Sequence, residues 1–271
     1  MKKKLLLAIS ILSIVFLTGC GGNETNGGSA SEKLLSAEEI QQMYSDPDSY
    51  KGAMVELTGR VFSDPEYDSK GIYFQMWGDP EQASRNTYVF LPDSQMELKS
   101  DDYVKVKGKV KGAFEGTNMM GGKVVAAGII ADSVERSSYK DVIAPTVKTA
   151  TPKVGTIEQL GYEITVNTVE LAQKETRAYI TVKNNGHANL SVYVFNMILV
   201  QNNQQYSSIS NFEAGYPEIQ TDLRPGVVSE GVAVFPAIDM NAPFQIIMEA
   251  HSDNWDEQLD EYIFEISVDN N

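Results

Sequence analysis

Few side chains in this 271-residue sequence have the type and spacing that chemistry demands. There are two histidines, His187 and His251, and a single cysteine, Cys20. His187 lies in the turn after Asn184-Asn185-Gly186, and His251 follows an apolar strand. No nucleophile elbow and no HExxH helix accompanies either, so no motif assigns them to acyl transfer or zinc hydrolysis. Gly112, Gly116, Gly121 and Gly122 do not make a phosphate loop. Gly122-Lys123 is followed by Val124, where such a loop places Ser or Thr on the metal. These glycines read as a hairpin connection. Asp253, Asp256, Glu257, Asp260 and Glu261 form the densest acidic group, beside His251. Carboxylates so placed could hold calcium, but the spacing is not that of an EF-hand, and the plain reading is a solvated loop. Asp253, Asp256 and Glu257 are therefore the metal candidates, and no metal or dissociable cofactor is expected. Asp64, Glu66 and Asp68 repeat the ambiguity on a smaller scale. No carboxylate pair is singled out for glycoside hydrolysis.

Binding chemistry has better material. Tyr73, Gln75 and Trp77 alternate along one apolar segment, and Tyr88 stands in the next. On one sheet face they would form a stacking platform for bases or sugars. Lys105, Lys107, Lys109 and Lys111 also lie two apart, on one side of a strand. The valines between them would then face a core and the lysines face water, where they discourage edge pairing. Phe212 and Tyr216 sit in an irregular stretch, 208–221, that also holds Pro217. Long loops on a rigid scaffold often carry recognition, and this one is the first choice for a contact surface.

The elements that must position these residues are mostly strands. Ser36-Ala37-Glu38-Glu39 is a capping box opening one short helix. Five strands follow between Met54 and Val134, punctuated by Gly and Pro, which implies a small barrel. Gly59 and Gly108 would permit close backbone approach where its strands bend. The segments VELTGRVF and DDYVKVKGKVKGAF resemble the bacterial OB-fold family described as anticodon-binding-like. That resemblance implies an OB-like barrel over residues 36–136, with Tyr73, Gln75, Trp77 and Tyr88 on its ligand-facing side. Residues 137–153 contain Pro145 and Pro152 and read as an extended, stiff linker. From 154 to 271 about seven strands imply an immunoglobulin-like sandwich, which without a cysteine pair must be held by packing. GYEITVNTVEL, AYITVKNNG and LRPGVVSEGVAVFPA resemble the telokin-like extracellular domains of bacterial lipoproteins. That resemblance implies location and fold, and no activity. The expected class is all-β: a small OB-like barrel with one short N-terminal helix, then the sandwich.

The chain opens with Lys2, Lys3 and Lys4, an apolar run from Leu5 to Leu17, and Leu17-Thr18-Gly19-Cys20. A basic head, an apolar stretch and small residues at the cut mark a secretory signal, and the run is short for a membrane span. The last four residues resemble the lipobox of bacterial lipoproteins. The resemblance implies cleavage between Gly19 and Cys20 and a diacylglyceryl group on the Cys20 thiol, making residues 1–19 the signal and 20–35 a lipidated cysteine with a flexible tether. Thioether formation would also remove the oxidation hazard of a free exported thiol. Loss of residues 1–19 leaves 19 basic against 37 acidic residues, so the net charge moves from −15 to −18. Such a surface repels nucleic acid and anionic headgroups at long range. The sequence thus implies an extracytoplasmic protein held to the cell membrane by its lipid. It would bind a protein, peptide or envelope polysaccharide without catalysis; the rivals are an envelope-acting hydrolase and a structural spacer or assembly subunit.

Two buried acyl chains anchor stably, at about 0.8 kcal/mol per methylene. A Cys20→Ala variant should therefore lose signal processing and leave the membrane fraction, as cell fractionation and labelling with a radioactive fatty acid would show.

Overall fold

The computed structural model describes residues 33–117 and 122–268. The signal, Gly19, Cys20 and the tether up to residue 32 lie outside the described residues. The helix forms where the capping box places it. α1 spans Ala37–Ser45, the Glu39 N–H donates to Ser36 Oγ, and the Ser36 N–H donates to the Glu39 carboxylate at 2.6 Å. Met43 is the α1 residue buried in the barrel core. The tether ends earlier than residue 35. Leu34 bridges Met54 and the Leu35 N–H donates to the Met54 carbonyl, because Leu35 packs against the core.

The barrel strands are β1 (Met54–Val61), β2 (Glu66–Asp68), β3 (Gly71–Asp79), β4 (Ser84–Pro92), β5 (Tyr103–Thr117) and β6 (Lys123–Arg136). Their order is β1-β5-β6-β4-β3-β2, and pairing of β1 with β3 closes the ring. The β4–β6 pair is parallel and the others antiparallel, an OB-like arrangement. Val104, Val106 and Val110 face the core while Lys107 and Lys111 face water, as alternation requires. β5 kinks where its register with β6 shifts, between Lys107 and Gly108 and again between Val110 and Gly112. At the first kink a Cβ on Gly108 would stand 2.2 Å from the Ile130 carbonyl oxygen, so only glycine fits the bend.

The connection read as a linker is ordered structure. α2 (Tyr139–Val142) is capped by Ser138, whose Oγ accepts from the Asp141 N–H, and β7 (Thr146–Pro152) follows. Proline spacing suggested free extension. Instead β7 pairs first with β9 and then, at Thr151 and Pro152, with β18. It is the strand that joins the two faces of the sandwich.

The remaining strands are β8 (Thr156–Gln159), β9 (Tyr162–Ala172), β10 (Glu175–Asn184), β11 (Leu190–Val192), β12 (Ile198–Gln201), β13 (Gln204–Ser207), β14 (Asp222–Leu223), β15 (Val228–Pro236), β16 (Phe244–Met248), β17 (Ala250–Ser252) and β18 (Tyr262–Ser267). The main sheet runs β13-β12-β16-β18-β7-β9-β10-β15, and a small sheet runs β14-β11-β17. The apolar run from Leu190 to Val200 is not one continuous strand. It is two, broken by a 3-10 turn at Val194–Asn196 where the chain passes from the small sheet to the main one. The core is filled from both faces by residues such as Ile164, Leu171, Ile180, Phe235, Ile246 and Phe264. The fold is all-β, a barrel with one short N-terminal helix followed by a sandwich.

Overpacking at a bend costs about 1–3 kcal/mol. Gly108→Ala should lower the urea midpoint of the barrel, read by the fluorescence of Trp77, which is stacked on Phe62.

Candidate functional site

Along β10 the side chains alternate: Ala178, Ile180 and Val182 enter the sandwich core, and Glu175, Arg177 and Tyr179 take the opposite face. Alternation alone would leave that face in water. Here α2, the start of β7 and the 208–221 segment cover it. Arg177 is 0% exposed and Glu175 3%. The Arg177 Nε–H donates to Glu170 across the strand pair at 3.1 Å. Its Nη1 donates to Glu175 at 2.9 Å and to the Ala144 carbonyl at 2.8 Å, and its Nη2 to Thr146 Oγ1 at 2.8 Å. Lys140 donates to the other oxygen of Glu170 at 2.6 Å, and Tyr179 donates to Glu170 at 3.0 Å. Two cations thus meet two carboxylates, and the cluster is neutral.

Burial alone would push Arg177 down; its bonds to Glu175, Tyr216 and Glu170 outweigh that and hold it more firmly charged than usual. Burial likewise works against the Glu170 carboxylate, but donation by Lys140, Tyr179 and Thr146 keeps it below its ordinary value. Tyr216 donates to Glu175 Oε1 at 2.6 Å, and burial with that carboxylate drives its hydroxyl far up. Asn211 donates to the remaining Glu175 oxygen at 2.9 Å.

The 208–221 segment is therefore pinned from beneath. It is also held along the edge of β15, the last strand of the sheet. The Ile209 N–H donates to the Val234 carbonyl at 2.8 Å, and the Val232 N–H donates to the Pro217 carbonyl at 2.9 Å. Between these bonds the segment arches outward through a 3-10 turn at Phe212–Ala214 and a left-handed Gly215. A groove of about 310 Å³ lies there, lined by the segment, by Val194 and Phe195, and by Val232 and Val234. Phe212 is 85% exposed and Phe195 69%, while Tyr216 is half-buried. Glu218 is the charged residue in the lining.

On its other side the segment meets the barrel. Glu213 pairs with Arg60 and accepts from the Tyr103 hydroxyl at 3.3 Å. Burial and Glu213 push that hydroxyl up to about 12. Tyr103 meets Tyr139 edge-on at 6.1 Å, and Tyr139 meets Tyr216 edge-on at 6.3 Å, so three rings run from barrel to loop.

The sequence candidates fall into three places. Phe212 and Tyr216 are together in the groove with Phe195; Ile209, Glu218 and the cluster beneath were missed. Tyr73, Gln75 and Tyr88 share one outer barrel face, but the rings stack on other rings: Tyr73 on Phe90 at 4.5 Å and Tyr88 on Phe114 at 3.9 Å. Trp77, the next outward residue of β3 after Gln75, is stacked on Phe62 at 3.9 Å. Asp253, Asp256 and Glu257 are not gathered. Glu257 accepts from Ser252 at 2.5 Å and Tyr162 at 2.6 Å, Asp253 accepts from Asn189 at 2.9 Å, and the Asp256 N–H is held by Asn254. Among the described residues no three His, Cys, Asp or Glu side chains converge as metal ligands would, and no helix is long and apolar enough to cross a membrane.

No protein-family model matches the chain, and no curated protein matches it in sequence. Among solved structures it is similar to a mitochondrial single-stranded DNA binding protein from S. cerevisiae, Rim1. The two are 9% identical over 31% of this chain and 94% of that one, with a TM-score of 0.24. A likeness at that level decides nothing about what this chain binds.

Removing one partner of a buried pair strands the other, at a cost of about 3–5 kcal/mol. Arg177→Met should destabilise by that order in chemical denaturation, and adding Glu175→Met should restore part of the loss. Glu170, with its folded value below the ordinary 4.5, contributes stability that is present above that value and is lost as pH falls through the lowered one. Melting temperature should therefore decline with acidification below about pH 4.5 less steeply in Glu170→Gln than in the parent.

Proposed function

We propose that this is an extracytoplasmic lipoprotein, anchored through a diacylglyceryl group on Cys20, that binds an envelope polypeptide in the groove of the 208–221 segment without catalysing a reaction. The observation that carries the reading is the pair Phe195 and Phe212, exposed to water beside a groove whose wall is fixed from below. Two large aromatics exposed beside one groove make an apolar patch that a partner could cover. On a preorganised wall they bind without an added ordering cost.

The lining favours a polypeptide over a polysaccharide. Val194, Ile209, Val232 and Val234 are aliphatic, suited to an apolar side chain rather than to a sugar's hydroxyls. Glu218 at the rim favours a basic residue beside that anchor. The −18 charge of the lipidated form steers partners of the same kind. An anchor in the lipid leaves the folded part free of any duty to hold the membrane, so its surface is available for recognition.

Crosslinking in intact cells followed by pull-down tests this. Phe212→Ser should cut recovery of the partner by about tenfold or more, as loss of a buried aromatic anchor does, with membrane attachment unchanged. Equal recovery from parent and variant would exclude the groove as the contact surface.

A further inference from the structure

The wall of the groove is also the fastening between barrel and sandwich. Glu213 faces the barrel, where it pairs with Arg60 and accepts from Tyr103. Phe212, its neighbour in sequence, faces the groove. Tyr216, three residues on, lines the groove with one part of its side chain and donates its hydroxyl to Glu175 beneath. Its ring meets Tyr139 of α2, which leads out of the last barrel strand. One arch of chain, short and bonded at each end to β15, therefore serves two contacts at once.

We infer that occupancy of the groove and attachment of the barrel to the sandwich are a single coupled equilibrium, carried by the 208–221 arch. This rests on the groove being the docking site. A ligand that touches Phe212 in its present position stabilises the arch in the position from which Glu213 reaches Arg60. Linkage then requires the reverse: barrel contacts that hold the arch in place raise the affinity of the groove by the same factor. No distant pathway is needed, since the two contacts are on adjacent residues. Lys174 with Glu81 also joins the two halves, by side chains that belong neither to the arch nor to the groove lining.

Hydrogen exchange on the full-length protein in detergent, resolved to peptides covering Ile209 and Val232, separates these cases. Arg60→Ala, whose side chain is outside the groove lining, should speed exchange at both amides by about two- to fivefold, the range of a partly exposed ion pair. Tyr103→Phe, which removes one hydroxyl and keeps the ring, should act in the same direction and less. Lys174→Ala should leave both amides unchanged. The inference is overturned if neither barrel variant speeds exchange, or if Lys174→Ala speeds it equally, since the effect would then be general loosening. In intact cells, capture of the partner by a photoreactive residue replacing Phe212 should fall in the Arg60→Ala background; capture that holds while exchange accelerates also overturns it. Failure to capture any partner in the parent would instead count against the docking reading, and the exchange result would still decide whether the arch is a clamp.

Discussion

The guanidinium of Arg177 is the constraint around which the second half of the molecule, and its join to the first, is arranged. A charge with no exposed surface has to be matched on every side. Glu175 and Glu170 supply the opposite charge, while the Ala144 carbonyl and Thr146 hydroxyl take the remaining donors. Those four partners come from β10, β9 and the stretch leading from α2 into β7, so satisfying one side chain fixes three pieces of chain against one another. Such clusters add little net stability compared with an apolar filling. Their cost is felt when a partner is missing, and that asymmetry enforces one arrangement.

Position follows from that arrangement. Glu175, oriented by Arg177, accepts from Tyr216 and Asn211, and these fix the arch that carries Phe212. A flexible loop bearing an exposed phenylalanine would collapse onto its own surface. This one holds Phe212 out because its polar side chains are bonded below. The chemistry of the cluster is thereby converted into the geometry of an apolar groove, although none of the charged members lines it.

Much of the architecture could be read from the residues. The alternation of Val104, Val106 and Val110 with lysines, the capping box at Ser36 and the glycines at strand bends each encode a local preference, and each is met in the structure. Phe212 and Tyr216, singled out from an aromatic-bearing irregular stretch between strands, line one groove. Arg177 was not legible. In sequence, Glu175-Thr176-Arg177 is a strand with its charges on the outer side, and period-two logic assigns that side to solvent. What covers it is α2 with β7, from a stretch whose prolines looked like a spacer. No local preference records that a connection doubles back to become a wall.

The two bonds between the arch and β15 have a further effect. β15 ends its sheet, and a terminal strand with bare N–H and C=O groups is a template for a strand of another molecule. The arch occupies that edge at Val232 and Val234 with backbone of the same chain. Where many copies stand close together, such a covering opposes pairing of this edge with a neighbour. The same few residues that line the groove thus also cover an open sheet edge.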